Sequence, residues 1–155
     1  MGRSLDAILA YGYDLGGSES GWLFNKLEEE YTSPKLDWFD FDKDSDFIAA
    51  CEKRLFASVG FDDSSYSIPG YGERRKVAET RLGVEFVYYG YEYGGSILSA
   101  SKTNTYYGVK LLDLASLVAD ALVGDWDEKL ANACRVLGVT PNQEKPGWLL
   151  APVYG

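Results

Sequence analysis

The sequence predicts an α+β fold: a small, mainly antiparallel sheet of three to five strands with helices packed on one face. Three observations predict it. Apolar and aromatic residues alternate along residues 5–15 and dominate 84–93, as strands require. The pair Gly94-Gly95 follows the second run, which is a hairpin signal. Residues 46–59 and much of the C-terminal third repeat apolar side chains at helical spacing. With 155 residues, 46% of them hydrophobic and 25% charged, the chain holds enough apolar material for one core, and 1–155 is read as a single globular domain.

Along the first strand Leu9, Tyr11, Tyr13 and Leu15 share a face, and Gly16-Gly17-Ser18 ends it. Trp22, Leu23, Leu27 and Tyr31 then fit a short helix with Ser20 available as its cap, stopped by Ser33-Pro34. Ser45 opens the clearest helix, about 46–59, with Phe47, Ile48, Cys51 and Leu55 as its apolar stripe. Asp44 and Asp46 at its start and Lys53 and Arg54 near its end suit the helix dipole, and Gly60 is the expected C′ residue.

Residues 61–75 read as a loop, the best place for mobility, with the basic trio Arg74-Arg75-Lys76 at its end. The aromatic strand 84–93 returns antiparallel through 96–101, and 105–110 is a weaker fourth strand. Leu111, Leu114, Ala115, Val118 and Leu122 share one helical face ending at Gly124. Asp125 and Glu128 resemble a capping box, and Leu130, Cys134 and Leu137 continue a second helix to Gly138. Pro141, Pro146 and Pro152 keep the tail extended, with Trp148, Leu149 and Leu150 packing it back.

Composition excludes several classes of function. Histidine is absent, which removes Ser-His-Asp and Cys-His catalysis and most zinc sites. No phosphate-binding loop or Gly-x-Ser-x-Gly elbow occurs, and Gly70-Tyr71-Gly72 lacks the third glycine of a dinucleotide fingerprint. The balance therefore leans away from an enzyme, and no cofactor or metal is expected. A net charge of −9 disfavours direct nucleic-acid binding and suits a protein partner with a basic surface, including one that ordinarily binds nucleic acid. No run of about 18 apolar residues occurs, so no membrane span is expected. The N-terminus lacks a signal-peptide pattern, so the expected location is cytoplasmic. Cys51 and Cys134 fall in helical segments and read as small buried hydrophobes.

Two features attract a functional reading. The first is an internal echo: Tyr-Gly-Tyr-Asp-Leu-Gly-Gly-Ser at 11–18 and Tyr-Gly-Tyr-Glu-Tyr-Gly-Gly-Ser at 89–96 agree at six of eight positions. Structurally it predicts two neighbouring central strands whose glycines face aromatic rings. Functionally it offers Asp14 and Glu92 as a carboxylate pair for cation binding or glycosidase-like hydrolysis. The second feature is the acidic, aromatic segment 37–47. Its alternating Asp40, Asp42, Asp44 and Asp46 approach a calcium loop, but Ser45 stands where glycine is needed and Cys51 where the closing glutamate is needed. Trp38, Asp40, Asp42 and Asp44 are instead the expected partner-contacting group.

The segment 4–22, with Tyr11-Gly12-Tyr13-Asp14-Leu15-Gly16-Gly17 and then Trp22, resembles small uncharacterised acidic proteins of actinobacteria-infecting bacteriophages. The resemblance implies a phage accessory protein in the bacterial cytoplasm that binds a host or defence protein. It carries no catalytic residue. A structural or self-assembling phage component, with aromatic strands pairing edge to edge between copies, is the other expectation.

Overall fold

The computed structural model describes residues 5–26, 33–105 and 108–154. Its main sheet comprises β1 (Leu5–Asp14), β4 (Glu85–Tyr89), β5 (Gly95–Asn104) and β6 (Gly147–Tyr154), in the order β4-β5-β1-β6 with antiparallel neighbours. A two-stranded ribbon joins β2 (Gly16–Gly17) to β3 (Gly21–Trp22). The helices are α1 (Phe47–Ser58), α2 (Tyr71–Leu82), α3 (Leu114–Val123) and α4 (Trp126–Leu137). The α+β class is therefore the one the sequence predicts.

Alternation along the strands separates two cores. Leu15, Phe86 and Leu98 face the helices and meet Phe47, Cys51 and Leu55 of α1, Ala78 and Leu82 of α2, and Leu130 and Leu137 of α4. On the opposite face Ile8, Ala10, Val87, Ile97 and Ala151 form a smaller core built from strands alone. That face is covered because the sheet curls: Gly90, just past β4, bridges to Val153 of β6, with Gly90 N–H donating to the Pro152 carbonyl at 2.9 Å. β5 is thus buried on both faces from Gly95 to Ser99.

Only one strand of the echo is central. β1 lies between β5 and β6, whereas β4 is an edge strand, because β5 folds back against β4 and takes the position beside β1. The hairpin turn is also longer than the glycine pair suggests. Tyr89 pairs with Gly95, so residues 90–94 form the turn. The C-terminal tail, expected to pack back on the domain, becomes β6 and pairs with β1 along its whole length. No strand is found among the described residues of 105–110; 106–107 lie outside them.

Local sequence explains most helix ends. Asp46 caps α1, accepting from Ala49 N–H at 3.1 Å, in the role expected one residue earlier at Ser45, and Gly60 follows with φ +77°. Asp113 caps α3 through Ser116 N–H at 3.2 Å. Asp125 makes no side-chain cap bond to α4, so the capping box there is not formed. The expected helix near Trp22 is replaced by β3 at its start, and Leu27 and Tyr31 fall outside the described residues.

The basic trio sits on α2 rather than in a loop, and two of its members are structural. Arg75 pairs with Asp63 at 2.6 Å and with Glu79 at 3.1 Å, and its guanidinium lies over Phe56. Arg74 reaches the carbonyls of Ser65, Ile68 and Pro69. These bonds tie the loop before α2 to its first turn. Cys51 and Cys134 are buried free thiols, as expected, and burial pushes the Cys134 thiol up to about 11.

Candidate functional site

The two copies of the echo meet in space. Each Gly-Gly pair lies against the other: a side chain at Gly17 would stand 2.4 Å from the Gly94 carbonyl oxygen, and one at Gly95 would stand 2.8 Å from that of Gly16. Leu15 N–H donates to the Ser96 carbonyl at 3.0 Å, and the Ser20 hydroxyl donates to that of Gly94 at 3.2 Å. Tyr89 of the second copy donates its hydroxyl to Asp14 Oδ1 of the first at 2.7 Å, where Gly16 N–H also donates at 3.0 Å. The echo is thus a packing device: Gly12 and Gly90, expected to face aromatic rings, admit backbone instead, while Gly95 admits the Tyr89 ring as well as backbone.

Asp14 is accordingly a structural acceptor, with its own N–H donating to Gln143 Oε1 at 3.1 Å. Glu92 is exposed in the turn after β4 and lines a depression of about 420 Å³ together with Glu19 and Asp46; Asp14 does not line it. Tyr89 lines the same depression, so Asp14 is engaged by a wall residue while Glu92 is exposed at the turn, and among the described residues no hydrogen bond or metal-holding group joins the two.

The phenols held by carboxylates carry a pH consequence. Burial first, then the bond to Asp14 and its charge, raise the Tyr89 pKa far above that of a free tyrosine. Burial and the bond to Asp127 push Tyr11 up to about 12. Both folded values exceed the unfolded value of about 10, so their stabilisation is fully present below about pH 10 and is lost as pH rises through the folded values. Burial raises Tyr13 and Tyr88 as well, so absorbance of tyrosinate should show a late group among the twelve tyrosines, and its last step should be absent in Tyr89→Phe. Complete titration near pH 10 with the fold intact would contradict this.

Trp38, Asp40, Asp42 and Asp44 lie together, as the sequence suggests. The loop is fixed by its own carboxylates: Asp44 Oδ2 accepts from Asp40 N–H and Asp40 Oδ1 from Asp42 N–H, both at 2.9 Å. Trp38 is half-buried, donates Nε1–H to the Leu137 carbonyl at 2.8 Å, and stacks on Phe47 with Arg54 across its ring. It anchors the loop, while the three aspartates are exposed.

This loop is one part of a longer groove. A depression of about 830 Å³ is lined by Asp37, Asp40, Asp42 and Asp44; a second, of about 700 Å³, by Asp44, Asp46 and Glu19; the third is the one beside Glu92. They share Asp44, Phe39 and Phe41 at one junction and Glu19, Trp22, Asp46 and Phe47 at the other. Among the described lining residues, seven carboxylates stand against one lysine, Lys35. Below them Trp22, Phe24, Trp38, Phe39 and Phe41 surround the Phe47 ring, with centroids 4.9 to 5.9 Å from it. Glu19 and Glu92 were not legible as parts of this site, because they reach it from the ribbon and the hairpin turn.

A separate cavity of about 370 Å³ lies between α1, α2 and the β4–β5 hairpin, with Glu52, Arg75 and Glu79 on its walls. Burial raises the Glu52 pKa and Arg75 partly offsets it, while Arg75 is held by Asp63 and Glu79. Among the described residues, no group of three or more His, Cys, Asp or Glu side chains is placed to hold a metal ion, and no helix is long and apolar enough to cross a membrane. No protein-family model, curated protein or solved structure matches the chain.

Proposed function

We propose that this chain is a non-catalytic binding protein that receives a basic surface of a partner protein in its acidic groove. The observation that carries the reading is the continuity of the three depressions, lined among the described residues by seven carboxylates and one lysine. Backbone N–H groups fix Asp40, Asp44 and Asp46 over a packed aromatic floor, so these acids need little ordering on binding. The Lys43–Asp40 contact at 3.7 Å is between exposed groups and offsets little of that charge. Lysine and arginine side chains suit such a groove, since their aliphatic stems cover aromatic rings while their cationic ends meet acids. The phage resemblance of 4–22 supports a host or defence protein as the partner, in a bacterial cytoplasm.

The test is capture of a partner from actinobacterial lysate by the tagged chain at low and high salt, followed by affinity measurement. One dominant partner released by salt is expected, with Asp40→Lys plus Asp42→Lys weakening it at least about tenfold, or about 1.4 kcal/mol. An affinity unchanged by the double reversal would remove the groove as the binding site.

A further inference from the structure

α3 has its apolar face turned away from its own protein. Leu114, Val118 and Leu122 are 68%, 56% and 77% exposed, and no residue of the helix is buried. Ala115, Ala119 and Val123 continue the same exposed arc, while half-buried Leu117 and Ala121 form its inner edge. The shared face of Leu114, Ala115, Val118 and Leu122 is therefore real, yet it faces solvent, and Leu111, expected on it, lies before the helix. Sequence periodicity shows that residues share a face, not what covers it.

We propose that this face pairs with the same face of a second copy, antiparallel about a two-fold axis near Val118. The area fits. Leu114, Val118, Leu122 and Val123, with Ala115 and Ala119, leave on the order of 500 Å² open, the scale each partner buries in a small, reversible interface. An exposed apolar patch of this size, on one face of one helix, is commonly an interaction surface. The shape also fits. Leu114, Val118 and Leu122 make an i, i+4 ridge beside a lower row of Ala115 and Ala119, so one copy's ridge can enter the other's groove.

Charge argues for a copy over a lipid surface. The only charged residue within α3 is Asp120, and Asp113, Asp125, Asp127 and Glu128 flank it. Helices that lie on anionic membranes carry Lys and Arg on their polar side, which α3 lacks. No α3 residue lines the acidic groove, so pairing leaves that groove open. Apolar pairing should also survive the salt that releases a basic partner, which keeps the two proposals distinguishable.

Sedimentation of the full chain between about 1 and 200 μM should show a monomer–dimer equilibrium. Val118→Glu should raise its dissociation constant at least about tenfold with an unchanged circular dichroism spectrum. In oxidising buffer Val118→Cys should give a covalent dimer, while Ser116→Cys, on the polar side, should not. A monomer throughout the range overturns the proposal, as does a dimer indifferent to Val118→Glu. Binding to phosphatidylcholine–phosphatidylglycerol vesicles that Val118→Glu abolishes, without dimerisation, overturns it in favour of lipid.

Discussion

Gly12→Ala is expected to destabilise the fold by about 3 kcal/mol or more, and Gly12→Val to abolish folding. Gly12 sits in the central strand between β5 and β6, where the β1–β5 register shifts between Tyr11 and Gly12. A side-chain carbon there would lie 1.9 Å from the Leu98 carbonyl oxygen and 3.0 Å from the Ser99 Cα. Those neighbours are backbone of a strand buried on both faces, so no rotamer change relieves the clash. The cost arises from close approach, not from a left-handed conformation. Gly147, directly opposite Gly12 in the β1–β6 pair, has nothing within 4 Å of the same added atom. Gly147→Ala is therefore the matched control and should stay within about 0.5 kcal/mol of the parent in urea unfolding. Equal costs for the two alanines would show that β5 yields, and that the echo's first glycine has no packing role.

Phe47→Ala is expected to cost about 3–5 kcal/mol, the range for a large aromatic removed from a core. Phe47 is 4% exposed and is the first residue of α1, directly after the cap Asp46. Its ring joins Trp22 of the ribbon, Phe24 beyond it, and Trp38, Phe39 and Phe41 of the acidic segment. Removing it leaves a cavity under the groove, so binding should fall with stability. Phe47→Leu keeps apolar volume while losing the ring edges and should cost about 1–1.5 kcal/mol. Thermal unfolding of the two variants separates cavity from ring geometry. A Phe47→Ala variant as stable as Phe47→Leu would mean that the surrounding rings collapse into the space.

Local chemistry in the sequence was sufficient for the mixed fold class, the strand at the N-terminus, the aromatic hairpin, and the helices over Phe47–Ser58 and Trp126–Leu137. These follow from periodicity, glycine placement and acidic residues at helix starts, which act over a few residues. The whole of α2 was missed: Pro69, Gly70 and Gly72 read as loop, and Arg74 and Arg75 close its first turn through partners at Ser65, Ile68 and Asp63. The clustering of Asp40, Asp42 and Asp44 was likewise local, since those residues bond to one another's backbone.

What the sequence determined by itself is which residues share a face and which short segments turn. Tertiary structure alone decided strand order, which makes β1 central and β4 an edge, and the curl that buries a second core. It also decided that the echo's two glycine pairs abut, that Asp14 serves Tyr89 rather than Glu92, that Glu19 and Glu92 extend the acidic loop into a groove, and that α3 turns its apolar face outward. The physical reason is common to all of these. Each depends on groups far apart in the chain, and pairing across such distances is selected by packing and burial of the whole, which no local period encodes.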